Sequence, residues 1–159
     1  MGSPSPSRLI GYLVRFTLTH VVTYLVFGLT FMFLAKYREH WGSDEMRGLM
    51  RPLDSPIVQA AVLFQFGRGA FLGLVIYPCH DVVVRSPRGW LKLWALLWGL
   101  TLIGSVTTAG GSIEGLIYTQ LSLKSHLIGI PEVTLQMLGF SWLFVAWERR
   151  KALSAAVPS

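Results

Sequence analysis

The sequence predicts an all-α integral membrane protein, a four-transmembrane-helix bundle formed as a single membrane domain over residues 1–159. Three observations support this fold class. Of the 159 residues, 52% are hydrophobic and only 14% are charged, a balance that is unusual for a soluble domain. Four stretches are apolar over about 17 residues or more, the length that crosses the hydrocarbon core of a bilayer. Three of these stretches begin beside a proline, which is favoured at the first position of a helix.

The predicted spans cover approximately residues 9–35, 57–78, 88–108 and 131–147. The apolar core of the first span, from Phe16, is about 19 residues long, beyond the length of a typical signal-peptide core, so we interpret it as a helix of the mature protein. Pro78 is expected to stop the second span, because proline removes a backbone donor. The charged run at 148–151 is expected to end the fourth.

The first and third connections between spans are not plain loops. Ser43 is expected to cap a short helix whose apolar face carries Met46, Leu49, Met50 and Leu53. Residues 110–129 are too polar for a further span and too apolar for a free loop. We interpret them as an interfacial or re-entrant segment between spans three and four, the second form requiring cover from protein or a water-filled cavity. The second connection is short, so spans two and three are expected to be neighbours.

Basic residues at the span ends predict an orientation. With four spans both termini share one side, and that side carries eight Lys and Arg residues against five on the other. The positive-inside rule then predicts that both termini are cytoplasmic. The single cysteine, Cys79, excludes an internal disulfide framework, and the compact plan is compatible with a bacterial inner membrane. The net charge of +6 is interpreted as membrane-flanking charge facing lipid, so no nucleic-acid partner is expected.

Arg68 is the main candidate for a binding residue. It lies about eleven residues into span two, near the expected bilayer midplane, and an ionisable group there costs roughly 2.5 to 3.5 kcal/mol on insertion scales. The guanidinium could bind a carboxylate or phosphate inside the bundle, with Gln65 and Glu114 as its polar neighbours. Alternatively, backbone carbonyls or a neighbouring acid could satisfy it, and Arg68 would then hold the helices in register. Glu114 could equally be a surface carboxylate at a helix start.

Other polar groups in or near the spans receive structural interpretations. Arg15 is expected to snorkel to the interface, and Glu132 suits the first turn of span four. A pair of histidines such as His20 and His80 could hold a haem only with both rings inside the bundle, and His80 is expected at a helix end, so no haem is expected and no metal site is predicted. The GxxxG match at 69–73 permits close helix approach within the chain or between subunits. Trp90 is expected in the aromatic belt at the membrane surface, and Trp94 and Trp98 are expected to pack between helices rather than to line a lipid or ligand groove.

The sequence carries no Walker loop, no HExxH and no CxxC pair, so it gives no positive sign of nucleotide hydrolysis, zincin-type proteolysis or thiol exchange. The leading hypothesis is a non-enzymatic membrane protein, either a small binding or transport unit or an accessory subunit of a membrane complex. Membrane lipids, and further copies or other subunits, are its expected partners. The alternative is a membrane-embedded enzyme acting on a lipid or isoprenoid-like substrate, with Glu114 transferring protons.

Overall fold

A computed structural model describes residues 6–103, 111–112, 116 and 120–156, and this part of the chain is helical with no strand. Its α-helices are α1 (Pro6–Leu34), α2 (Tyr37–Trp41), α3 (Pro56–Gln59), α4 (Ala61–Ile76), α5 (His80–Arg85), α6 (Gly89–Ile103), α7 (Leu123–Leu127) and α8 (Ile130–Ala156). Three helical segments are long and apolar enough to cross a membrane, namely Pro6–Leu34, Ala61–Arg85 and Leu123–Ser154. The all-helical class and a membrane protein are therefore supported.

The three long segments correspond to the first, second and fourth predicted spans. The described part of the third span is α6, which has 15 residues, and positions 104–108 of that span lie outside the described residues. Fifteen residues rise about 22 Å, less than the roughly 30 Å of a bilayer core. The fourth crossing, and with it the four-helix bundle, stays a prediction.

Pro78 changes the helix type but does not stop the helix. Residues Tyr77–Cys79 form a 3₁₀ turn, and α5 follows directly from His80 to Arg85. A proline inside a helix cannot donate to the carbonyl four residues earlier, and a tight 3₁₀ turn accommodates that loss locally. The second predicted span is thereby extended beyond residue 78. The fourth is also longer than expected, because α8 continues through the charged run to Ala156.

The helix predicted after Ser43 is replaced by successive turns. The amides of Met46 and Arg47 both donate to the Ser43 carbonyl, but Gly48 then has a φ of 117°, a left-handed conformation that ends any right-handed helix. Met46 is buried all the same, with 5% of its surface exposed. The short helix in this connection is instead α2, which begins immediately after α1 at Tyr37.

The long helices lie in the order α4, α1, α8, α6. Helix α1 packs against α4 on one side and α8 on the other, and α8 packs against α6. Helix α6 packs mainly against α8 and α5. Spans two and three, which were expected to be neighbours, therefore contact each other through α5. Aromatic rings fill the centre: Phe16 lies 4.8 Å from Phe140 and 5.0 Å from Phe144 between ring centroids. Such edge-to-face pairs suit the ring quadrupoles.

The two ends of this row of helices carry different groups. Helices α1 and α8 are antiparallel, because Arg15 near the start of α1 contacts Glu148 near the end of α8. The start of α1 and the end of α8 therefore lie at one end, which we call the terminal end and which also holds α5. The opposite end, here the loop end, holds α2 and α7. Large apolar side chains such as Phe33, Leu63 and Phe71 are exposed along the outside, as expected for a lipid-facing surface.

Candidate functional site

Two glycines bring α4 unusually close to α1. A methyl group on Gly69 would come within 3.1 Å of Thr17 Cα, and one on Gly73 within 3.1 Å of a Leu13 methyl carbon. Small residues at this spacing let helix backbones approach in a membrane, where dispersion and hydrogen bonds drive association. The GxxxG match therefore serves a contact inside the chain.

The close approach places Gln65 against α1. Gln65 is buried, with 8% of its surface exposed, and the Nε2 of His20 donates to its Oε1 across 3.1 Å. His20 itself is 9% exposed and packs at its edge against Phe140. Two buried polar side chains thus satisfy each other, which avoids the cost of an unpaired polar group in an apolar surrounding. Gln65, one of the predicted site residues, lies inside the helix packing.

Arg68, in contrast, lies on the outside of α4. Its side chain is exposed, and among the described residues no carboxylate, carbonyl or hydroxyl bonds to it. The position next to it, Gly67, is open, because a methyl group there would meet nothing within 4 Å. The structure therefore does not place Arg68 inside the bundle, and it leaves the guanidinium free for a group from elsewhere. Glu114, the third predicted site residue, lies outside the described residues.

The depth of Arg68 follows from the register of α4 on α1. Gln65 lies opposite His20 and Gly69 opposite Thr17, so Arg68 is level with the stretch of α1 between them. That stretch lies only two to five residues beyond Arg15, or about 3 to 8 Å at 1.5 Å per residue. Because α1 runs from Pro6 to Leu34, this stretch also lies near the middle of that helix, so the register keeps Arg68 well within the candidate span Ala61–Arg85.

A charge cluster at the terminal end joins three helices. The Nε of Arg15 donates to Glu148 Oε1 in a salt bridge, and the Nε2 of His80 donates to Glu148 Oε2 across 3.0 Å. The second ring nitrogen of His80 lies 3.3 Å from Asp81 Oδ1. Glu148 is the most buried member, with 6% of its side chain exposed, while 21% of Arg15 and 27% of His80 are exposed. Both oxygens of the buried carboxylate are thus satisfied, which stabilises the joint of α1, α5 and α8.

The sequence interpretation missed this cluster. Arg15 and Glu148 are 133 residues apart, and each taken alone resembles a charge at the end of a span. One signal in the sequence could have predicted the pair. In the predicted topology Arg15 and Glu148 lie on the same side of the membrane, where opposite charges can meet. The two histidines considered for haem have different partners, because His20 bonds to Gln65 and His80 bonds to Glu148.

The residue after Glu148 completes the same joint. The Nε of Arg149 donates to the Val84 carbonyl across 2.9 Å, and its Nη2 donates to the Ser86 carbonyl. These carbonyls lie at the end of α5, where the last turn of a helix lacks internal partners and favours a cation. The charged run at 148–151 is therefore partly structural rather than only a membrane-flanking feature.

The loop end is held by a second set of polar contacts. The backbone amide of Ser122 and the hydroxyl of Ser125 both donate to Glu45, the latter across 2.6 Å. These hydrogen bonds, the amide of Ser122 first, hold the pKa of the Glu45 carboxyl below its ordinary value. Nearby, burial first and then a hydrogen bond to Glu132 raise the pKa of the Tyr37 hydroxyl. The first connection is thus fastened to α7 and α8.

The tryptophans of α6 pack on α8. The indole of Trp98 donates to the hydroxyl of Thr134 across 2.9 Å, and that of Trp94 to the Thr134 carbonyl across 3.3 Å. The two indoles stack with their centroids 5.5 Å apart. Their hydrogen-bonded, half-buried positions favour a packing role over a ligand groove.

The comparisons with protein-family models, with curated proteins and with solved structures found no match for this chain.

Proposed function

We propose that this chain is a non-enzymatic four-helix membrane protein that works as a subunit of a membrane assembly, either a homo-oligomer or a larger complex. In this proposal Arg68 contacts an anionic group supplied from outside the chain. The three long apolar helices are compatible with a membrane protein. The fourth membrane helix of this proposal is the third predicted span, of which α6 is the described part.

The observation that carries the proposal is the free, exposed guanidinium of Arg68 within a candidate span. Helix α4 is otherwise apolar on this outer surface, where Phe64 is 63% and Phe71 is 66% exposed. Contact between a cation and lipid tails alone is energetically unfavourable, and intramembrane arginines usually contact an anionic or polar partner. The open space at Gly67 would let a partner helix approach the backbone beside Arg68.

The packing of the single chain favours a subunit over a self-contained transport unit. The described centre is filled by aromatic side chains, with Phe16 and Phe144 each 1% exposed. The polar pair between α1 and α4, Gln65 and His20, bonds to itself and leaves no polar path there. A transport path would therefore have to lie between copies or between subunits, which again requires assembly.

Native mass spectrometry tests the proposal on protein gently extracted from its membrane, with an absorption spectrum recorded on the same sample. We expect a mass larger than one chain. Arg68→Gln should reduce the assembled fraction at least fivefold, whereas Arg68→Lys should retain much of it, because a cation is kept. Arg88→Gln is the matched control, since it removes one exposed charge at the edge of the third predicted span, one residue before α6.

A monomeric parent protein, or an assembled fraction that Arg68→Gln leaves unchanged, would contradict the proposal. A coloured cofactor that remains with a heteromeric mass would specify an accessory subunit. The alternative of a lipid-modifying enzyme depends on Glu114, and the described residues offer no observation in its favour.

A further inference from the structure

A groove of about 600 Å³ runs along the outer surface between α1 and α8, on a face of the molecule not used by α4. Its walls are mostly apolar and exposed: Trp142 is 56%, Val22 is 54% and Leu143 is 42% exposed. Leu18 and Trp147 continue the same walls, and Arg150 stands at one end. A concave apolar groove of this kind between two membrane helices suits the binding of a linear apolar group such as an acyl chain.

The groove covers the depth of one bilayer leaflet. From Trp142 to Arg150 it extends eight residues along α8, or about 12 Å, against a half-bilayer of about 15 Å. The salt bridge between Arg15 and Glu148 fixes which end this is, because it places Arg150 at the terminal end, beyond Glu148 on α8. The groove therefore opens at the membrane surface and extends inward toward the midplane.

The charge at the mouth of the groove is uncompensated. Arg150 is exposed and forms no ion pair among the described residues. The acid beside it on α8, Glu148, is buried against Arg15 and His80. Arg149 is used at the end of α5. A guanidinium above an apolar groove is complementary to a phosphate above an acyl chain, and the uncompensated charge of Arg150 favours a headgroup with net negative charge.

We propose that the groove between α1 and α8 binds an anionic phospholipid of the leaflet at the terminal end. The acyl chain would lie between Leu18 and Val22 on one side and Trp142 and Leu143 on the other, with the headgroup phosphate at Arg150. The proposal requires only that the chain lies in a membrane, and it does not depend on the role given to Arg68.

The test is a lipid titration of the purified full chain by native mass spectrometry, with phosphatidylglycerol and phosphatidylcholine of identical acyl chains. We expect the parent protein to bind phosphatidylglycerol more tightly than phosphatidylcholine. Arg150→Gln should weaken that binding about fivefold. Lys151→Gln is the matched control, because it removes the same charge one residue along, outside the groove lining, and should leave the affinity close to that of the parent.

A second variant tests the apolar part of the groove. Leu143→Trp adds volume at an already exposed position, so the chain should still fold, and it should weaken binding of both lipids. Equal affinity of the parent for the two lipids, or equal losses in Arg150→Gln and Lys151→Gln, would overturn the proposal by showing a general surface charge effect. So would a Leu143→Trp protein that binds lipid normally but changes from dimer to monomer, since a second copy would then be the occupant.

Discussion

At the scale of single residues, the buried carboxylate of Glu148 organises the terminal end. It accepts from Arg15 of α1 and His80 of α5 while belonging to α8, so one side chain joins three helices. The nearby hydroxyl of Tyr12 is buried without a hydrogen-bond partner among the described residues. Tyr12 therefore contributes to this joint by packing, with its ring edge-on to His80 at 5.3 Å.

Replacing Glu148 with Gln should destabilise the protein by about 2 kcal/mol, because the partly exposed Arg15 and His80 lose their charge-assisted hydrogen bonds to the buried carboxylate. The free energy of unfolding in detergent is the quantity to measure. Arg15→Gln provides the second corner of a double-mutant cycle. If the two substitutions act through the same contact, the double variant should lose clearly less stability than the sum of the single losses, and strict additivity would show that the pair does not interact.

The predicted site residues differ in how well the sequence placed them. Gln65 was expected to bond between helices, and it does so with His20. Arg68 was expected inside the bundle and is exposed, because the face that α4 turns to α1 is determined by the glycines at 69 and 73. Hydropathy reports depth in the membrane but carries no information on which side of an apolar helix meets a neighbour, since the whole circumference is apolar.

At the scale of helices, the prolines in the sequence predict where helices begin more reliably than where they end. Pro56 is the first residue of α3, Pro87 precedes α6 by two residues, and Pro131 is the second residue of α8. Pro78 lies within a 3₁₀ turn between two helices instead of ending them. A proline at a helix start loses no hydrogen bond, whereas the effect of an internal proline depends on whether the surrounding packing keeps the chain helical.

The joint between α5 and α6 depends on Gly89. A methyl group there would lie 1.5 Å from the Val83 carbonyl oxygen, so the backbone would have to move. We expect Gly89→Ala to lower the free energy of unfolding by 2 kcal/mol or more, on the order of other overpacked sites. The measurement is thermal or denaturant unfolding in detergent.

Gly99→Ala in the same helix is the matched control, because a methyl group there meets nothing within 4 Å. It should be neutral or stabilise α6 by up to about 1 kcal/mol through helix propensity. Similar losses for the two alanine variants would show that the contact with Val83 is not the cause.

At the scale of the whole molecule, the sequence predicts the helices far better than their arrangement. The order α4, α1, α8, α6 depends on contacts between residues far apart in the chain, such as Phe27 with Gly139. The short second connection alone indicated that spans two and three should be neighbours, yet α6 packs chiefly on α8 and α5. Loop length limits how far apart two helices can lie, but close packing between their faces determines which helix becomes the neighbour.

The antiparallel packing of α1 and α8 brings the start of α1 and the end of α8 to the same end, and the excess of basic residues on that side predicts a cytoplasmic location for it. Cys79 is the only cysteine, is exposed, and lies at this end between Tyr77 and His80. If that orientation is right, a membrane-impermeant thiol reagent should label Cys79 in inside-out membrane vesicles and leave it unlabelled in right-side-out vesicles.

The reciprocal reporter is Cys79→Ser combined with Asp44→Cys, which moves the thiol to an exposed position in the connection at the loop end, where 91% of the Asp44 side chain is exposed. Its labelling should follow the opposite pattern. If both labelling patterns were reversed, the orientation of the protein in the membrane would be opposite to the predicted one, and the fold would be unaffected. Labelling of both thiols from the same side would contradict the crossing of the membrane by Ala61–Arg85, because Asp44 and Cys79 lie at opposite ends of the structure.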